Sequence, residues 1–260
     1  MTDSMLSHSH IAGSPLGKPD RGFTLVEMAI VLAIVALLLG SLLPTISSQI
    51  EQQHRNETRK QMNEIKEALI GFTLINGRLP CPADGTIATG QANAGLEATT
   101  GSGSAMTCTS VTSNAAWGVL PWATLGVSET DAWGRRFTYR VTATFADGAD
   151  GTGCAGTIAA GVSFQLCSIG NLNVLTAATG GTNIAASIPA AIVSHGTNGL
   201  GAYTTTGQQL LGATGDESEN ADSANNNFVN HDFSPTFDDL VIWISPNILS
   251  NRMVTASKLP

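Results

Sequence analysis

Charge is scarce in this 260-residue chain. Charged side chains make up 12% of it and the balance is acidic, 20 Asp and Glu against 12 Lys and Arg, for a formal net charge of −8. A surface of that sign repels the phosphate backbone, so nucleic acid is disfavoured as a partner. Gly-x-Ser-x-Gly, His-Glu-x-x-His and phosphate-cradling glycine loops are absent. The adjacent pairs Ser194-His195 and His231-Asp232 do not by themselves bring a nucleophile, a base and an orienting acid together. No catalytic residue is assigned, and an enzyme is not the expected reading. There is no Cys-x-x-Cys and no set of histidines to complete a zinc site, which leaves the metal assignment at none. No cysteine precedes Cys81, and the spacing of an EF-hand loop is missing.

What is present begins at Phe23. Phe23 to Leu43 is an apolar run interrupted by one carboxylate, Glu27. As a helix it reaches about 30 Å, the thickness of a hydrocarbon core. A secretory signal is shorter and is cut after its apolar stretch at small residues, and no such site follows Leu43. The run is therefore expected to stay in the mature chain as a single span in contact with lipid. Lys18 and Arg21 precede it and the first charge beyond it is Glu51, which puts the N-terminus in the cytoplasm and the bulk of the chain outside. Glu27 costs on the order of 2.5–3.5 kcal/mol in such a helix and so calls for a partner or a role; the alternative is that it snorkels and favours the helix dipole.

Gly22, Phe23, Thr24-Leu25 and Glu27, followed by the apolar run, resemble the N-terminus of the type IV pilin and type II secretion pseudopilin superfamily. That resemblance implies cleavage after Gly22 by prepilin peptidase and N-methylation of Phe23. It also implies that Glu27, fifth residue of the processed chain, pairs with the N-terminal amine of a neighbouring subunit. Pro44 is the twenty-second residue from Phe23, where many such proteins carry a helix-kinking proline; proline can equally end the helix there. The expected partners are prepilin peptidase, other pilin or pseudopilin subunits, an inner-membrane assembly platform and lipid. Expected segments are a leader at 1–22, an assembly helix at 23–43, an amphipathic half at 44–76 and a loop-rich β domain at 77–260.

In the amphipathic half, Ile46, Ile50, Met62, Ile65, Leu69 and Phe72 recur mostly at three- and four-residue steps, while EQQHRNETRKQ between them reads as exposed. Strands are expected over Arg136–Phe145, with Phe137, Tyr139, Val141, Ala143 and Phe145 on one buried face, in GVSFQLC, over Ala190–Ser194 and over Asp239–Ser245. The fold class is α+β, a long helix packed on an antiparallel sheet. GRLPCPADG and DAWGRRFTYRV resemble segments of prepilin-like proteins. Trp117, Trp122, Trp133 and Trp243 read as core.

Cys81, Cys108, Cys154 and Cys167 lie beyond the span and read as disulfides of an oxidising compartment. Three pairings exist; sequence neighbours favour Cys81 with Cys108 and Cys154 with Cys167, the second across a hairpin. No cofactor is required. Calcium is the one possibility, because major pseudopilins have a calcium loop near their C-terminus. VSHGTNGLGAY holds a similar place without its acids, and Asp216, Glu217, Glu219, Asp222, Asp232, Asp238 and Asp239 read as a solvated acidic stretch. The functional expectation is a structural subunit of a pilus or pseudopilus, with length and loops leaning to a minor one; the alternative is an adhesin or tip subunit whose loops bind a ligand.

Overall fold

The computed structural model describes residues 22–148, 152–158 and 161–259, and their side chains except at 39–46, 152, 153 and 157. Helix α1 runs Leu25–Asn76. The strands follow as β1 Thr99–Thr100, β2 Thr107–Cys108, β3 Val111–Thr112, β4 Ala115–Val119, β5 Thr138–Thr142, β6 Thr152–Gly153, β7 Gly156–Thr157, β8 Leu172–Leu175, β9 Asn183–Ile188, β10 Ala190–Ser194, β11 Asn227–Val229 and β12 Leu240–Ile244. Between them lie single helical turns α2 Trp122–Leu125 and α3 Ala143–Ala146, then α4 Asp216–Ala221 and α5 Pro246–Thr255. The class is α+β. Two compact units divide between Ser48 and Gln49.

In the first unit every described side chain from Phe23 to Leu38 is exposed, apolar ones included. A helix that is apolar on all sides has no face for a globular core. Among the described residues no helix is long and apolar enough to cross a membrane. The expected span extends into residues 39–43, whose side chains lie outside the described ones. Helix α1 continues through Pro44, so the proline does not end it.

The second unit is layered on a five-stranded antiparallel sheet of order β12-β10-β5-β4-β3. Met62, Ile65, Leu69 and Ile70 of α1 pack on one face with Tyr139, Val141, Ile192, Ile244 and, from α5, Leu249 and Met253. Each such side chain contributes about 1.5–3 kcal/mol by burial. On the other face Ala115, Ala191, Val193 and Val241 meet Leu172, Val174, Ile188 and Phe228, carried by the three-stranded sheet β11-β8-β9 and its edges. Covering both faces explains why β10 reads AAIVS without alternation. Helix α1 closes at Gly77, whose backbone has φ of +71° and donates to the Thr73 carbonyl at 2.8 Å. A side chain there would strike the Gly161 carbonyl.

Three expectations are corrected. The strand expected over Arg136–Phe145 is only Thr138–Thr142, because its partners β4 and β10 both begin opposite its end, at Ala115 and Ala190. Beyond Thr142 the ladder ends with the Ala143 N–H on the Asn114 carbonyl at 3.0 Å, and Ala143–Ala146 folds as a helical turn. Its second face is also buried, with Arg136, Arg140 and Thr142 all inside. GVSFQLC forms no strand: Val162 and Phe164 are buried, but Leu166 is exposed, and the backbone turns where the Ser168 hydroxyl accepts from the Gln165 amide at 2.9 Å. The polar stretch of α1 is not wholly exposed either. Arg55 and Thr58 are buried, in step with Met62, Ile65 and Leu69.

Candidate functional site

Helix α1 begins with a reciprocal cap. The Thr24 backbone N–H donates to Glu27 Oε2 at 2.9 Å and the Thr24 hydroxyl donates to the same oxygen at 3.0 Å. The Glu27 N–H contacts Thr24 Oγ1 at 3.2 Å. This is a capping box, and Thr-x-x-Glu is its sequence signature, a signal present at residues 24–27 beside the snorkelling and pairing readings. Within its own chain Glu27 thus finishes the helix end. Gly22 and Phe23 stand outside the helix, both exposed, so the junction between them is held as non-helical backbone just before a fixed helix start.

The segments GRLPCPADG and DAWGRR are drawn together by one buried cation. Arg136 is fully buried and uses every donor: Nε to Glu129, Nη1 to the Gly85 and Ile87 carbonyls at 2.9 Å each, and Nη2 to Thr89 Oγ1 and the Thr205 carbonyl. Its guanidinium lies 4.6 Å from the Trp122 ring centroid. A buried charge this completely paired fixes loop positions. Asp131 does the same for its turn, accepting from the Trp133 and Arg135 amides and from the Ser194 hydroxyl at 2.6 Å. Burial pushes the Asp131 carboxyl up from its ordinary value, and those donors oppose the shift. Trp133 then reaches α1, edge-on to His54 and donating to Glu51 at 3.3 Å. Of the four tryptophans only Trp122 is buried; the other three are half-buried.

Ser194 and His195 diverge, since the serine bonds Asp131 while His195 Nε2 lies 2.8 Å from Thr138 Oγ1. The His195 ring is fully buried, and the hollow over Thr138 measures about 10 Å³, too small for a substrate. His231 holds Asp216 at 3.2 Å and stacks on Phe237.

Disulfide geometry joins Cys81 to Cys108 and Cys154 to Cys167, with Cα separations of 5.3 and 6.0 Å. The second bond does not cross a hairpin. Cys154 sits in the turn between β6 and β7, and its partner lies in the separate loop at 162–168.

The acidic stretch is not simply solvated. Glu217 of α4, Asp238 and Asp239 are buried, and their carboxylate oxygens come within 4.8 Å of one another. Asp238 Oδ1 and Asp239 Oδ1 are buried without any hydrogen-bond partner. Outer oxygens are held: the Asn198 N–H donates to Asp238 Oδ2 at 2.8 Å, the Asn198 side chain to Glu217 at 3.0 Å, and the Asn220 side chain to Asp239 Oδ2 at 2.8 Å. Burial first, and then its acidic neighbours, raise the Asp238 carboxyl to about 6. Orphaned hard oxygens among like charges fit a divalent cation such as calcium, and Glu217, Asp238 and Asp239 would hold it. The loop Gly196–Gly201 contributes no acid and instead orients two of the three carboxylates through Asn198.

Residues 17–43 match the prokaryotic N-terminal methylation motif family. The chain thus carries the hallmark segment of type IV pilin and pseudopilin precursors, over about a tenth of its length. No curated protein and no solved structure matches it.

Proposed function

We propose that this chain is a type IV pilin-like subunit, cut after Gly22, methylated on Phe23 and assembled through α1 into a pilus or secretion pseudopilus. The carrying observation is the methylation motif at 17–43 leading into a helix with no buried face from Phe23 to Leu38. Such a helix has to find its apolar partners elsewhere, first in the inner membrane and then among neighbouring helices. Glu27 can exchange its capping role for the new amine of a neighbouring Phe23, a pair that sets the axial stagger. Losing one member of a buried pair costs about 3–5 kcal/mol per contact. Glu27→Leu should therefore leave processed, disulfide-bonded protein in the membrane and remove it from sheared filaments. Wild-type incorporation of the variant would contradict the pairing.

A minor or tip subunit that binds a surface ligand is the second reading. It is favoured by an open polar cleft of about 620 Å³ lined by Asp84, Asn93, Leu96, Glu97, Thr99 and Ser110. Scarcity in filaments, with filament number rather than structure altered on deletion, would distinguish it.

We also assign a calcium ion to Glu217, Asp238 and Asp239, supported by the orphaned Oδ1 of Asp238; Asp239 Oδ1 has no hydrogen bond but faces His195 Nδ1 at 3.7 Å. Free calcium at about a hundred times its dissociation constant adds about 2.7 kcal/mol to stability. Calcium chloride should raise the melting temperature of the full chain, and Asp238→Asn should abolish the rise. An equal rise in both proteins would remove the assignment.

A further inference from the structure

A cleft of about 520 Å³ opens in the second unit between α1 and β12. Arg55 and Arg59 form one wall, Leu240, Val241 and Ile242 the floor, and Asn230 to Phe233 the far side. Four residues apart on a helix, the two arginines share a face. Arg55 is buried and fixed, its Nε donating to Glu51 at 3.1 Å and its guanidinium 3.6 Å from the Phe233 ring centroid. Its terminal amino groups, and the whole of exposed Arg59, have no acceptor among the described residues. Asp232 lines the rim and makes no ion pair with either arginine among the described residues. His231 is already spent on Asp216 and the Asp232 carbonyl. A guanidinium held rigid with free donors is prepared for a carboxylate.

The complementary pattern stands on the opposite side of the same helix. Glu57, two residues from each arginine, points about 160° away from both. It is exposed and has no donor among the described residues. Lys60, one turn on, makes among the described residues only a long exposed contact to Glu64 at 3.9 Å. One stripe of α1 thus offers an acid followed by a base, and the cleft offers two arginines followed by Asp232. We propose that the cleft receives α1 of a second copy of this chain, with Glu57 on Arg55 and Arg59 and Lys60 on Asp232. The lysine stem covers the apolar floor. Because one surface meets a different surface, the contact is heterologous, the kind that repeats into an open helical assembly. This deepens the filament reading and rests on it, and it favours repeated copies over a single tip copy.

Charge reversal tests it. Glu57→Arg and Arg59→Glu should each lower the chain in sheared filaments by about tenfold at unchanged processed monomer, and the double variant should recover most of the loss. Arg55 is left intact because it is built into the fold. Two unaffected single variants, or a double variant no better than either, would overturn the contact. Loss with Arg59→Glu alone would assign the cleft to another acidic partner and overturn the second copy. As an independent reading, a chain carrying Asn56→Cys and Asn230→Cys, which border the contact and leave its charges in place, should give a ladder of covalent multimers when treated in cells with a short bismaleimide. Monomer alone would refute the contact even where filaments form, whereas wild-type chain missing from filaments would defeat the filament reading and leave the ladder to decide the contact.

Discussion

The two ends of helix α1 treat the same kind of residue in opposite ways. Ile34 is 54% exposed and Leu37 74%, whereas Leu69 and Met62 are at 0%. Both stretches are rich in aliphatic side chains, yet among the described residues only the second stretch buries them. On the proposed function the residues near the N-terminus answer to a peptidase, to lipid and to neighbouring subunits, and what they need is a fixed order of residues. The residues after Gln49 answer to one another, and many orders of apolar side chains satisfy a core. One region is therefore recognisable as a motif, and the other as a packing pattern.

Paired substitutions break that contrast most strongly. Leu69→Ala should cost about 2–5 kcal/mol of unfolding free energy in the second unit, through lost burial and a cavity. Ile34→Ala should change the same transition by less than about 0.5 kcal/mol. A comparable loss from Ile34→Ala would erase the contrast. Circular-dichroism melts of the full chain in detergent give both values.

The cystines sharpen it at slightly smaller size. Cys81–Cys108 closes 27 residues and is buried, and Cys154–Cys167 closes 13 at an exposed turn. Removing a bond typically costs about 2–4 kcal/mol, more for the longer loop. The serine double variant at 81 and 108 should melt lower than that at 154 and 167. Non-reducing peptide mapping checks the pairing itself, and free thiols at all four positions would defeat it.

Legibility followed the same division. The junction Gly22-Phe23, the apolar run and Glu27 are visible because they are contiguous and carry a fixed spacing. Strands β10 and β12 are visible as short apolar runs bounded by polar residues. The end of β5 is not, since it depends on where two distant strands begin. Nor could spacing show that Arg136 gathers five acceptors from three separate loops, or that Glu217 meets Asp238 from 21 residues away. Buried arginines and clustered acids in a sequence with 12% charge were the available signal, because so few charges leave each one conspicuous. Long-range closure decided which of them met.

Everything proposed for the first region depends on one covalent event. Intact-mass measurement of the protein extracted from membranes of cells with active prepilin peptidase should give residues 23–260 with one added methyl group on Phe23 and four fewer hydrogens from two disulfides. A mass that retains residues 1–22 would contradict the account at its root.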